Sequence, residues 1–381
     1  MIDTRPHICI DATCIVLDGK GATVYAVSLL KELLYLAQNR ARFSVFMRTE
    51  AISLLNISSS NWSIQGVKVK SAHLWHLFTL PRLLVKLKPD LLHILGEAVF
   101  TWLSVPYLLT VHELPHLYHK KTLNTNQSLY QHLSQHLTKI LLPGTCRRAA
   151  HLLAISRSTA IDLVREFQVH SQKVTITYEA ADIRFFQAKS QPVSDWCRTL
   201  PRPYLLTFAT GDRREVPEQV VQAFGLIASQ IPHHLVIAGR CSDWQKSTLT
   251  KAAVQLDCLE RLHFTGFVPD TDLPVLYRDA DIYIEMSRYE GFGLQVCEAM
   301  ATGTVAIASD VASLPEVVGN GGYLVPLGHS TMLADKLLTL LTDSIKIQRL
   351  SKLAQQQAAQ FSWHKCATES WAAMEKILNN T

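Results

Sequence analysis

Residues 287–325, SRYEGFGLQVCEAMATGTVAIASDVASLPEVVGNGGYLV, hold two glutamates, Glu290 and Glu298, with Gly291, Phe292 and Gly293 directly after the first. Were the stretch helical throughout, eight steps of ~100° would put the two carboxylates about 80° apart around the axis. The two glycines argue otherwise, because glycine weakens a helix interior and suits a tight loop. The spacing therefore predicts a loop over 290–293 and a helix from Leu294 to about residue 302. One carboxylate then lies on the loop and the other about one turn into the helix. The first N–H groups of a helix lack intrahelical acceptors, so this start is an anion seat suited to a diphosphate. Carboxylates on either side can accept hydrogen bonds from sugar hydroxyls. Two surface glutamates flanking an ordinary turn would read the same way.

Outward from this stretch the hydrophobic period alternates. Short apolar runs at 204–208, 234–238, 262–264, 281–284 and 305–308 read as buried strands, with helices at about 216–229, 243–257, 294–302, 330–342 and 346–360. The first half shows the same scheme. Strands are expected at 7–12, 43–47, 90–95, 107–111, 152–155 and 174–178, with a helix over 24–37 after a turn at Gly19 and Gly21. Strand–helix alternation in both halves predicts two doubly wound α/β domains with parallel sheets. Residues 187–203, QAKSQPVSDWCRTLPRP, carry three prolines and no sustained period, which reads as a linker between domains at 1–186 and 204–361.

Composition narrows the function. With 381 residues and 48% hydrophobic content, a disordered or fibrous chain is excluded. The net charge of +5 is uneven: residues 1–195 hold 21 Lys+Arg against 13 Asp+Glu, and the remainder 16 against 19. Two domains with different partners are implied. The first residues lack the pattern of a signal peptide, and the most apolar run, 91–111, is broken by Gly96, Glu97 and Pro106. The eight cysteines are scattered, with neither a CxxC pair nor a metal-ligand spacing. A cytoplasmic chain with buried free thiols and no bound metal is expected. Residues 73–88, HLWHLFTLPRLLVKLK, mix Trp75 and Phe78 with Arg82, Lys86 and Lys88. They fit either a peripheral element on the inner face of a membrane or a helix packed on the sheet with a solvated basic face; Pro81 interrupts it or starts a second helix. His116, His119, Lys120 and Lys121 add charge nearby. No nucleic-acid reader is evident.

The segment 287–325 closely resembles the donor-site signature of retaining glycosyltransferases of family 4, which have the GT-B fold of two Rossmann-like domains facing a central cleft. Other stretches agree: LHFTGFVPDTDLPVLYRDADIYI (262–284), VPYLLTVHEL (105–114), HLLAISRSTAIDLVREF (151–167) and KVTITYEAADIRFF (173–186). The resemblance implies metal-independent transfer of a sugar, with retention, from a UDP- or GDP-linked nucleotide-sugar to a glycan or lipid-linked saccharide. No cofactor is implied, the nucleotide-sugar being a substrate. Glu290 would bind donor-sugar hydroxyls and Glu298 the ribose. Gly291, Phe292, Gly293 and Leu294 would line the sugar and diphosphate, and Val268 would lie in the segment that meets the base. His112 would lie near the anomeric carbon, although a satisfied core histidine at a strand end is the alternative. Gly19 and Gly21 match the family's glycine-rich loop. The last helix, about 362–378, would cross back to the first domain.

One position departs from that pattern. The family usually has an Arg-Lys pair after the first strand of its second domain, where LTFATGDRREVPEQVVQAF (206–224) stands here. If Ala223-Phe224 fixes the register, Arg214 matches the arginine and Glu215 replaces the lysine; if Pro217 fixes it, Arg213 and Arg214 fill both places. The first alignment sets an anion beside a leaving diphosphate and reverses the electrostatic contribution. It leaves room for a binding subunit without turnover; a phosphorylase-like or sugar-nucleotide-processing member of the same fold is a separate alternative.

Overall fold

The computed structural model describes residues 4–17, 19, 21–55, 59–100, 102–114 and 129–380, so the charged positions 116–121 lie outside the described residues. The chain forms two compact units, Met1–Glu179 with Ser362–Thr381, and Ala180–Phe361. Unit 1 contains β1 (His7–Asp11), β2 (Arg42–Arg48), β3 (Trp62–Val67), β4 (Leu91–Ile94), β5 (Tyr107–Val111), β6 (His151–Ala154) and β7 (Val174–Ile176). They pair in parallel in the order β3-β2-β1-β4-β5-β6-β7. Unit 2 contains β8 (Tyr204–Phe208), β9 (His234–Ala238), β10 (Leu262–Gly266), β11 (Ile282–Glu285), β12 (Val305–Ser309) and β13 (Gly322–Val325), in the parallel order β10-β9-β8-β11-β12-β13.

Both sheets follow from continuous apolar strands: β4, β5, β6, β8, β11 and β12 are buried at every residue, as strands covered on both faces must be. The strand order reverses between β1 and β4 in unit 1, and between β8 and β11 in unit 2. Loops leaving the carboxyl ends of such neighbours diverge to opposite faces and leave a crevice where ligands of open α/β sheets bind. The segments holding Glu215 and Glu290 leave β8 and β11, the pair at the switch point of unit 2.

β3 and β13 are strands that apolar runs did not announce. Each is an edge strand and half-exposed, so its composition is mixed. The expected linker is also different. Residues 187–203 belong to unit 2, with a helical turn at Asp195–Arg198 and Cys197 buried. The Arg278 guanidinium ties them down through the carbonyls of Ala188 and Gln191, both at 2.8 Å. The chain passes between units at 179/180 and not at 186/187. The helix Trp363–Leu378 groups with unit 1, where Trp363 meets Tyr25 edge-on and Cys366 lies buried below the Thr177 carbonyl.

The core of unit 2 runs through Leu205, Phe224, Leu235, Ile284 and Ile307. Phe224 is fully buried on the helix Pro217–Ile227. Phe224→Ala is expected to lower the unfolding free energy of the chain by about 3–5 kcal/mol, measured by denaturant titration, because the cavity left cannot close completely.

Candidate functional site

In unit 2 the helix Leu294–Thr302 starts at Gly293, whose φ of +98° is a left-handed conformation that L side chains rarely adopt. A Cβ there would stand 2.7 Å from Leu314 Cδ2, so a side chain would also displace the end of that leucine. No side chain caps this helix start. Phe292 is buried edge-on against Phe361, and the Ser313 hydroxyl donates to the carbonyls of Glu290 and Phe292, each at 2.8 Å. The loop is thus held through its carbonyls by Ser313. Gly291 is buried with it, and Leu294 is half-buried.

The two glutamates stand in different surroundings. Glu290 is half-buried and accepts a hydrogen bond from the Ser287 hydroxyl. Glu298 is buried; the Tyr277 hydroxyl donates to it at 3.4 Å, and burial pushes its carboxyl up to about 8, with Arg184 opposing and Asp270 adding to the rise. Arg184 itself holds the Asp270 carboxylate at 3.2 Å and its carbonyl at 3.0 Å. Val268 is buried beside exposed Phe267, over whose ring the Arg240 guanidinium sits at 4.7 Å.

The segment after β8 is fastened to the one after β11. Val216 N–H donates to the Met286 carbonyl at 2.7 Å, Arg288 N–H donates to the Arg214 carbonyl at 2.8 Å, and Glu215 pairs antiparallel with Ser287. Arg214 and Glu215 are therefore brought to the 286–290 loop, while Arg213 is exposed. The Arg214 guanidinium is engaged with Asp212 at 2.7–3.2 Å. Glu215 folds back to accept from Thr210, from its N–H at 2.7 Å and its hydroxyl at 2.5 Å. Burial raises the Glu215 carboxyl, and the Thr210 hydrogen bonds oppose the rise.

A third carboxyl was not legible in the sequence. Glu285 ends β11 and is buried, its carboxyl pushed up to about 8 by burial and then by the charge of Glu290. The only signal was an acidic residue within an otherwise apolar strand.

In unit 1, Gly19 and Gly21 precede the helix Ala22–Leu36. A Cβ on Gly19 would meet Thr23 Oγ1 at 2.0 Å, and Gly21 has a φ of +32° with open space around it. His112 follows β5. Its Nε2 lies 2.9 Å from the Leu95 carbonyl and its Nδ1 3.4 Å from Glu179 Oε1. Both ring nitrogens thus face acceptors, which an imidazolium satisfies and a neutral ring cannot. Burial favours the neutral ring, but the Glu179 carboxylate outweighs it and holds the His112 pKa above the ordinary 6.5. Glu179 is buried much further along the chain, and nothing in the residues around it marks it as the partner of His112.

The stretch 73–88 is a single rod: Ala72–Leu74, a wide π-type turn at Trp75–Thr79, then Leu80–Leu87. Pro81 sits in the first turn of the last piece, and the wide turn before it accommodates the missing N–H. Trp75 and His76 both reach the buried Asp11 carboxylate, at 3.0 and 3.1 Å. The opposite face exposes Leu74, Phe78 and Val85 beside Arg82, Lys86 and Lys88. No described helix is long and apolar enough to cross a membrane.

Two parallel-sheet α/β units of this order define the GT-B class of fold. A glycosyltransferase from Rickettsia africae superposes over 100% of both chains with a TM-score of 0.74 at 14% identity. Anabaena HepE in complex with UDP and glucose superposes over 98% of this chain and 100% of that one, with a TM-score of 0.68 at 17% identity. Residues 199–357 match the family described as glycosyl transferases group 1, and residues 20–185 the one described as glycosyltransferase family 4. The chain belongs to glycosyltransferase family 4, group 1. The O-antigen chain mannosyltransferase B of Escherichia coli is 28% identical over 224 residues, which are 58% of this chain and 58% of that protein. The match thus spans little more than half the length of that relative.

The raised His112 pKa has a consequence for stability. A folded-state pKa above the unfolded 6.5 stabilises the fold fully below 6.5 and ceases to do so as pH rises through the folded value. Unfolding free energy should therefore fall as pH is raised above 6.5. In Glu179→Gln that fall should become smaller, the part due to the raised carboxyls of Glu285 and Glu298 remaining, and an NMR titration of His112 should show a lower pKa than in the wild type.

Proposed function

We propose that the chain is a retaining, metal-independent hexosyltransferase that moves a sugar from a UDP- or GDP-linked donor to a hydroxyl of a glycan or lipid-linked saccharide. The observation that carries this is the uncapped helix start at Gly293, with Glu290 on the loop before it and Glu298 one turn beyond, at the switch point of a parallel sheet. First-turn N–H groups and the Arg214 guanidinium are the groups suited to a departing diphosphate, by fixed dipole and by charge. Glu290 is assigned to the hydroxyls of the donor sugar and Glu298 to the ribose; Arg213 remains a further cation within the same segment. A mannosyltransferase relative and a structural neighbour crystallised with UDP and glucose support a hexose donor of this class. Retention rests on the family resemblance.

Transfer from UDP-glucose and GDP-mannose to a panel of saccharide acceptors tests this. Glu290→Ala should lower kcat/KM by a hundredfold or more, on the order of the loss of one transition-state contact. Glu298→Ala should raise the donor KM by about tenfold to a hundredfold, the equivalent of ~1–3 kcal/mol of lost hydrogen bonding. A chelator should change neither rate.

A second reading, a binding subunit without turnover, is supported by the backbone pairing of Glu215 with Ser287 if the alignment fixed by Ala223-Phe224, in which Glu215 replaces the family's lysine, is the right one. Tight nucleotide-sugar binding with no transfer and no donor hydrolysis would establish it and overturn the first.

We also propose that the exposed face of the 72–87 rod lies on an anionic membrane surface, the three apolar side chains entering the headgroup region and the cations meeting lipid charge. Flotation with vesicles of about one-third anionic lipid should carry the protein upward, and changing Arg82, Lys86 and Lys88 together to Glu should abolish it. Equal flotation of both forms would overturn the membrane role.

A further inference from the structure

Side chains alternate along a strand, so Tyr283, Glu285 and Ser287 share one face at the end of β11. The Tyr283 hydroxyl donates to the Glu285 carboxyl, and the Ser287 hydroxyl to Glu290. Ser287 is itself held by Ser309, whose hydroxyl accepts from the Ser287 N–H at 3.1 Å and donates to its carbonyl at 2.7 Å. Glu215, paired with Ser287 through the backbone, completes a group of three carboxyls. The cation beside them is Arg214, already engaged with Asp212. The residues next to Glu285 and Ile284 on the neighbouring strands, Ala308 of β12 and Thr207 of β8, do not titrate.

Three ionised carboxylates here would oppose the diphosphate that the site is read to hold. All three accept hydrogen bonds, and depth of burial shows which one is best left uncharged. Glu215 accepts two hydrogen bonds from Thr210 that oppose the rise burial gives it, and half-buried Glu290 accepts from Ser287. Glu285 is 6% exposed and accepts from the Tyr283 hydroxyl.

We propose that Glu285 is a positioning residue that carries a proton in the donor-competent protein, and that its ionisation turns the pocket against a nucleotide-sugar by repulsion with Glu290 and Glu215. This rests on the reading of the 290–298 segment as the donor site. Burial and the Glu290 charge bring the proton's release to about pH 8, so the protein is poised on the receptive side at neutral pH. The sign follows: Glu285 takes no charge below that pH and adds a repelling one above it.

The test is donor binding by calorimetry, with UDP-glucose and GDP-mannose, between about pH 6.5 and 8.5. Affinity of the wild type should fall at the alkaline end, by a factor approaching roughly tenfold per pH unit beyond the release of one proton. Glu285→Gln, a permanently uncharged isostere, should bind as well as the wild type at pH 6.5 and lose distinctly less affinity than the wild type at the alkaline end, the remainder being the titration of Glu298. Glu285→Asp should retain the fall. Two further variants shift its midpoint in opposite directions. Tyr283→Phe removes a hydrogen bond that favours the anion and should move it upward, and Glu215→Gln removes a neighbouring charge and should move it downward, each by roughly half a pH unit. A merely structural role for Glu285 predicts neither shift. An unchanged alkaline fall in Glu285→Gln overturns the proposal, as does a midpoint that none of these variants moves.

A separate readout keeps this distinct from failure of the underlying reading. The carbonyl stretch of protonated carboxylic acids, followed by infrared difference spectroscopy over the same pH range, should fade in the wild type with contributions from Glu285 and Glu298, and Glu285→Gln should lack the Glu285 component while Glu298→Gln keeps it. No Glu285 component in the wild type overturns the proposal whatever the donor. If that component titrates but neither nucleotide-sugar binds at any pH, the donor-site reading falls, and with it the role of Glu285 in donor binding.

Discussion

The backbone pairing of residues 214–216 with 286–288 is the constraint on which the candidate site depends. It joins the segments that leave β8 and β11, the neighbours at which the strand order of unit 2 reverses. Loops leaving a switch point diverge, and without a fastening their side chains would be mobile relative to one another. Here two hydrogen bonds of 2.7 and 2.8 Å fix Arg214 and Glu215 beside the loop that carries Glu290. The helix at Gly293 then follows directly, its left-handed start held by the bulk of Leu314 and the hydroxyl of Ser313.

That fastening has an electrostatic cost. Beyond burial, the charges of Glu290 and Glu215 both raise the Glu285 carboxyl. Glu285 lies at the buried end of the group, where the charged form is least tolerated, and Glu215 is shielded by its bonds to Thr210. Unit 1 resolves a comparable problem differently. There the buried Glu179 carboxylate faces an imidazole, and His112 bridges it to the Leu95 carbonyl. Removing either partner would leave a buried charge without compensation, which is costlier than the net strength of the pair.

Much of the fold was legible because its central strands are continuous apolar runs, and buried parallel strands require that composition. The edge strands β3 and β13 were not, since one side of each meets solvent or loop and the apolar signal thins. The stretch 187–203 misled for a related reason. Its prolines mark turns, but whether turns pack on a domain depends on distant residues, here Arg278. At the site, Glu290, Gly293 and Glu298 could be placed from glycine spacing and helix geometry alone. Glu285, Glu179, Tyr277 and Arg184 could not, because each acquires its role from a partner remote in sequence or from depth of burial.

The sequence by itself determined the class of fold, the loop-to-helix turn at Gly293 and the position of the two glutamates around it. Those are local matters, set by residue conformational preference and by a period of two or 3.6. The tertiary structure decided which of Arg213, Arg214 and Glu215 meets that loop, and which carboxyls share one pocket. Those outcomes depend on backbone pairing across the sheet and on removal of charge from water, and neither is encoded in the order of neighbouring residues.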